Sequence, residues 1–383
     1  METFRCLCCP WSKLNRMNRT NRLHGLDALR AIMMLLGIVL HASETYSIGG
    51  DLWPKDPNST DAFFNYLSSI IHIFRMPIFF LISGFFSAML FYERSPKTMM
   101  TQRLKRVVAP FLVFLVILHP IIASSFKYMI QAYGLTDFEP MKLGYLPTIT
   151  YHLWFLYYLI IITCLVTLTA LILKKAPSIS RFVNNTFKNL FERQFLFVAV
   201  GSIYLFLLLV WMWDFWAPTP LGFSPDIKLI IFYGSFFIMG WLVFKSKELL
   251  KLFMKYDRAY VIIAFILYTV KFIFRNQIDD VPYGALNTII GWFFIIGITG
   301  LFMRYFNEHS SFRRYLSDAS YWVYLVHLPL TLIIPTLIVD WPIPSGLKFT
   351  IVVIGTTSFC FLTYHYLVRG TFIGQFLNGR KYN

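Results

Sequence analysis

A short set of ionisable side chains falls within otherwise apolar stretches: Arg30, His41, Glu44, His72, Arg75, His119 and His327, with His152 and His365 near stretch ends. An ionisable group surrounded by hydrocarbon is costly, so function is the first reading to test. Ten residues separate Arg30 from His41. Eleven steps of 100° return to within about 20° of the start, so the two share one helix face, roughly 16 Å apart. A cation and a proton acceptor along one wall suit acid–base chemistry on a substrate entering from one end. The competing readings are an Arg that snorkels to anchor a helix end and a His that bonds a neighbouring helix. His72 and Arg75 are i,i+3 neighbours on a second face. Arg75 at that depth needs a partner, with Glu44 and Asp61 as candidates, and a structural ion pair is its alternative role. Ser83 and Gly84 form a small patch suited to close helix approach. His152 opens the segment His152-Leu153-Trp154-Phe155-Leu156. His327 stands two residues before Pro329, which frees the carbonyls of Leu325 and Val326.

The elements that must position these groups are membrane helices. Of 383 residues, 57% are hydrophobic and 19% aromatic, and only 14% are charged, against about 25% charged in soluble domains. The apolar residues form runs of roughly 18 to 25, the length that crosses about 30 Å of hydrocarbon as helix. Ten spans are predicted, over residues 28–47, 64–92, 107–130, 151–173, 195–213, 228–244, 259–276, 286–304, 320–339 and 348–368. Asp27 reads as the N-cap of the first. The second exceeds what a span needs and reads as a tilted helix or as a surface helix leading into one. The fold class is therefore all-α, a polytopic bundle of about ten helices. The expected division is a basic tail over 1–27, a transmembrane domain over 28–368 and a second tail over 369–383.

A net charge of +16 invites a nucleic-acid reading, but its distribution argues against one. Segments expected on the inner side each carry three to five Lys or Arg, such as Arg94, Lys97, Arg103, Lys105 and Arg106. Segments expected outside carry at most two, such as Lys271 and Arg275. Positive residues stay cytoplasmic, so both chain ends are expected inside the cell. Trp211, Trp213 and Trp216 read as an interfacial belt. Cys6, Cys8 and Cys9 lie on the inner side, where thiols stay reduced, with no matching ligand pair, so no metal is expected. The basic tail runs into a full-length span, which excludes a cleavable signal, and Met17 begins an alternative tail. The sequence holds no phosphate-binding glycine loop, nucleophile elbow or Arg-rich voltage sensor, and no internal repeat of the kind many transporters show.

Taken together, five segments resemble the acyltransferase-3 superfamily of membrane acyltransferases. They are Leu26-Asp27-Ala28-Leu29-Arg30 with His41, Phe79-Phe80-Leu81-Ile82-Ser83-Gly84-Phe85, Arg103-Leu104-Lys105-Arg106-Val107-Val108-Ala109-Pro110, His152-Leu153-Trp154-Phe155-Leu156, and Ser320-Tyr321-Trp322-Val323-Tyr324-Leu325-Val326-His327. Their order and spacing cover residues 22 to about 370. Within the superfamily the chain is most similar to the branch associated with succinylation of periplasmic glucans. The resemblance implies catalysis by Arg30 and His41; Arg75, His72, Ser83, Gly84, His152, Trp154 and His327 are the residues expected to bind substrate. It implies no tightly bound cofactor, with acyl-CoA (succinyl-CoA or acetyl-CoA) as donor, and the bacterial inner membrane as location.

On that reading acyl-CoA docks at the inner face near Arg30 and its pantetheine arm carries the thioester inward. A hydroxyl of a periplasmic glucan or other glycan enters from outside, and His41 takes its proton as general base or first accepts the acyl group itself. Arg75, His72 or a backbone N–H near Ser83 would stabilise the oxyanion. A secondary transporter or flippase for an anionic or glycan substrate fits the same topology. So do O-acetylation of another surface polysaccharide and a non-catalytic partner of a glycan synthase.

Overall fold

The computed structural model describes residues 23–50, 53–135, 146–213 and 219–379. Among them the chain is helical throughout, with a lone β-bridge between Ile149 and Gly222. The longer helices are α1 (His24–Tyr46), α2 (Ala62–Glu93), α3 (Pro96–Ala132), α4 (Tyr151–Lys174), α5 (Pro177–Glu192), α6 (Gln194–Met212) and α7 (Ile227–Lys245). They continue with α8 (Asp257–Ile273), α9 (Asp280–Tyr305), α10 (Ser311–Leu337), α11 (Ser345–Val368) and the short α12 (Phe372–Asn378). Nine of the described helices are long and apolar enough to cross a membrane, and the chain is a multi-pass membrane protein. The cysteines of the basic tail and Trp216 lie outside the described residues.

The run at 64–92 is one continuous helix of 32 residues that passes through Pro77. The segment expected as a span at 259–276 is α8, with 17 residues. It rises about 25 Å, less than the hydrocarbon thickness, because a 3₁₀ turn at Arg275–Gln277 follows it directly. It still runs the depth of the bundle beside α9. Asp257 at its start binds Arg304 at 2.7 Å, and Lys271 near its end donates to Asn287.

Chain direction supports the same path. α1 and α10 lie side by side and run the same way, since Arg30 meets Ser317 at one end and His41 meets His327 at the other. Between two parallel helices the chain must reverse an even number of times, so α8 reverses it as the other helices do. His24 and His309 are in ring contact at 5.4 Å, and Asn378 donates to the Asp318 carbonyl at 3.0 Å. Both ends of the described chain therefore lie at one end of the bundle.

α1 is the central helix, touching α2, α9, α10 and α11. Small residues set the closest approaches. A Cβ on Gly84 of α2 would strike the Phe237 carbonyl of α7, and one on Gly240 of α7 would strike the Leu81 carbonyl. Three local expectations change. Asp27 does not cap α1, which begins at His24; it lies in the first turn, 3.7 Å from Arg30. Asp61 caps α2 instead, accepting from the Phe63 amide at 2.7 Å. The segment expected inside after α4 is itself the helix α5, with Ile179, Phe182 and Val183 exposed along an apolar side, as in helices that lie in the membrane interface.

Candidate active site

The face of α1 that carries Arg30 also carries Met34, Gly37 and His41, each one or two turns apart. At the end where the chain begins and ends, Arg30 is half-exposed. Its Nη2 donates to Ser317 Oγ of α10 at 3.3 Å, and its guanidinium lies 5.9 Å from the Phe86 ring of α2. Arg103 of α3 is close enough to feel the charge of Arg30. It donates to the Ser83 carbonyl at 3.2 Å and to Ser87 Oγ. Two arginines thus line this end of the α1–α10 seam.

Midway along the seam Arg75 of α2 is buried, and its Nε donates to the Met33 carbonyl at 2.9 Å. That backbone oxygen, rather than Glu44 or Asp61, is the bond the structure gives Arg75; Glu44 pairs with Lys55 at 3.3 Å. Gly37 makes room for the guanidinium. A Cβ there would stand 2.6 Å from Arg75 Nη2 and 3.2 Å from His327 Nε2.

Beyond Arg75 three imidazoles come together from three helices. The His41 and His327 ring centroids are 5.3 Å apart, and those of His327 and His152 are 5.2 Å apart. Backbone carbonyls fix two of the tautomers. His327 Nδ1–H donates to the carbonyls of Tyr324 at 2.8 Å and Val323 at 3.1 Å, which leaves the buried Nε2 as a lone pair with no hydrogen-bond partner. His152 Nε2–H donates to the Leu325 carbonyl at 3.1 Å, which leaves its buried Nδ1 likewise without a partner. Leu325 is the residue whose helical acceptor site Pro329 vacates, so the proline creates the bond that orients His152. The Tyr324 hydroxyl donates to the His152 carbonyl at 2.8 Å and holds the backbone there. His41 is half-buried and makes ring contacts with His327 and Trp53. Its electrostatic neighbours are His327, Arg75, His152 and His72. Among the described residues no three His, Cys, Asp or Glu side chains are arranged to hold a metal ion.

The structure thus brings His41, Arg75, His152 and His327 together and places Arg30 on the same seam, at the end where the described chain begins and ends. His72 lines a crevice of about 50 Å³ between α2, α6, α7 and α9, with Asn287, Thr288 and Tyr233. Gly84 serves the α2–α7 packing, and the Ser83 carbonyl is occupied by Arg103. Trp154 packs on Tyr233 of α7 at 5.4 Å. Sequence reasoning did not single out Arg103, Tyr324 or Trp53 as site residues. Arg103 sits in a basic cluster that reads as a topology signal. Tyr324 sits among other interfacial aromatics, and Trp53 sits in a loop.

The family described as "Acyltransferase domain" matches residues 23–365. Glucans biosynthesis protein C of Escherichia coli (strain K12) is 29% identical over 321 residues, which is 79% of this chain and 80% of that protein. The protein of the same name from Shigella dysenteriae serotype 1 (strain Sd197) shows the same identity and coverage. No solved structure matches the chain.

Proposed function

We propose, from the premise that the chain belongs to the acyltransferase-3 family and is therefore an enzyme that transfers acyl groups, that it moves an acyl group from a cytoplasmic acyl-CoA to a hydroxyl of a periplasmic glucan. The relatives' printed name supports glucan metabolism, and succinyl is the acyl group proposed. The orientation proposed puts both chain ends in the cytoplasm of a bacterium, with the bundle in its inner membrane. The carrying observation is the placement of His41 beside His327 and Arg75, on the same seam as Arg30.

In this reading the anionic nucleotide of acyl-CoA stays at the inner end with Arg30 and Arg103, and its narrow pantetheine arm follows the seam. The thioester carbonyl then meets Arg75, whose guanidinium over Gly37 is a fixed donor where negative charge develops. The sugar hydroxyl gives its proton to His41 as its oxygen bonds the acyl carbon. The carbon–sulfur bond breaks, and the proton passes to the departing thiolate. A positioned general base of this kind contributes roughly 10²–10⁴-fold. His327 and His152, with one nitrogen each held by a carbonyl, each keep one buried lone pair unengaged beside His41 and Arg75.

Mass spectrometry of envelope glycans tests this directly. Cells carrying the protein should show glucans heavier by one acyl unit, and cells carrying His41→Ala or Arg30→Ala should lack that mass while the protein still reaches the membrane. Unchanged acylation with His41→Ala would end the general-base role. A flippase would alter where the glycan is found without adding mass to it.

A further inference from the structure

A base able to take a proton from a sugar hydroxyl can also take one from water, and hydrolysis of the thioester would then waste the donor. The proposed function therefore requires water to be kept from His41 until the acceptor is bound. The outer-end segment after α1 supplies the means. Trp53 lies over His41 with its ring 5.5 Å away and nearly parallel, at 20°. Its indole N–H donates to Thr45 Oγ1 at 2.9 Å, and its ring makes a T-shaped contact with Phe126 of α3, centroids 5.4 Å apart. Next to it the strand of chain is pinned down. Lys55 donates to the Glu44 carbonyl at 2.8 Å and to Ser47 Oγ at 2.7 Å. The Asp56 amide donates to the Thr45 carbonyl at 2.9 Å, and the Asp56 carboxylate is ion-paired with Lys348 at 3.0 Å, both side chains almost fully buried.

We propose that Trp53 is a positioning residue that roofs His41 on the acceptor side and makes the enzyme a transferase rather than a thioesterase. This rests on the functional reading given above. Displacing the indole breaks its stack on His41, its bond to Thr45 and its contact with Phe126. One water offers too little contact in return. A sugar ring, with an apolar C–H face as well as hydroxyls, offers enough to take the indole's place. Exclusion of water from a reactive intermediate is a general use of closed sites. In the suppressed side reaction the water oxygen bonds the acyl carbon and the carbon–sulfur bond breaks. The water proton passes through His41 to the thiolate, leaving free acid and CoA thiol.

Two measurements on the full chain in lipid nanodiscs test this. The first is release of CoA thiol from succinyl-CoA without acceptor. Trp53→Ala should raise it by about tenfold or more, less than the full 10²–10⁴-fold a general base can contribute. Trp53→Phe, which keeps an aromatic roof, should stay near the parent. Thr45→Val, which removes only the indole's anchor, should fall between them and serves if Trp53→Ala fails to fold. The second is the rate at which diethylpyrocarbonate modifies His41, read by peptide mass, which needs no turnover. It should rise in Trp53→Ala and Thr45→Val. Equal His41 modification in parent and variants would overturn the roof whatever the activity. So would a Trp53→Ala whose acceptor-independent thiol release matches that of a parent active in acyl transfer. A parent with neither thiol release nor transfer, but with His41 exposed by the variants, would remove the acyltransfer reading and leave the roof standing.

Discussion

Gly37→Ala isolates the contact on which the proposed chemistry depends. The added methyl would stand 2.6 Å from Arg75 Nη2 and 3.2 Å from His327 Nε2, and it meets nothing else that closely. An ordinary carbon–nitrogen contact is about 3.5 Å, so the guanidinium must retreat by about 1 Å. It can do so by bending its terminal bonds, at the expense of its Nε bond to Met33. That bond, to a charged donor, is worth about 1.5–3 kcal/mol if lost outright, while Gly→Ala within a helix returns about 0.5–1 kcal/mol. The fold should therefore survive with a small loss. Catalysis should not, because a 1 Å misplacement at a reacting centre costs about 10²-fold, or about 2.7 kcal/mol of barrier. The assay is kcat/KM for acyl transfer by purified protein, alongside its thermal melting temperature. Activity within twofold of the parent, at unchanged melting temperature, would show that Arg75 and His327 do not act at this point and would refute the placement of the thioester there.

Pro329→Ala restores an amide that competes with His152 for the Leu325 carbonyl. With a neutral hydrogen bond worth about 0.5–1.5 kcal/mol, kcat/KM should fall by about 2–10-fold while the melting temperature holds or rises. Lys348→Ala leaves Asp56 buried without its ion-pair partner, so thermal melts should show a loss of about 3–5 kcal/mol. Lys348→Met with Asp56→Leu should recover most of it. Gly240→Val drives side-chain atoms into the Leu81 backbone of α2, and neither helix has a flexible group to move aside. Overpacking costs about 1–3 kcal/mol or more, so size-exclusion profiles should show loss of the monodisperse peak.

The ten apolar runs announced the helices because hydrocarbon admits little else: each backbone polar group must be satisfied within its own segment. The same constraint made the ionisable residues conspicuous, and Arg30, His41, Arg75, His152 and His327 were all visible by type and depth. Pro329 announced the vacant carbonyl at Leu325, though not which side chain would take it. Helix ends were less legible. α8 stops at Ile273 where polar residues follow, and α5 hid in what read as a loop because its apolar side is only one face of a short helix. Which intramembrane groups meet was beyond the sequence altogether. His72 and Arg75 share a face by spacing, yet one lines a crevice toward α9 and the other reaches across to α1. That division depends on where α9 and α1 pack, which is set by small residues such as Gly25, against Phe302 of α9, and Gly37, against Arg75 and His327, acting on partners far along the chain. Trp53 was a loop aromatic until tertiary contacts laid it over His41. Local chemistry named the candidate groups. Packing of distant helices decided which of them meet, because a side chain's neighbours in a bundle are drawn from other spans.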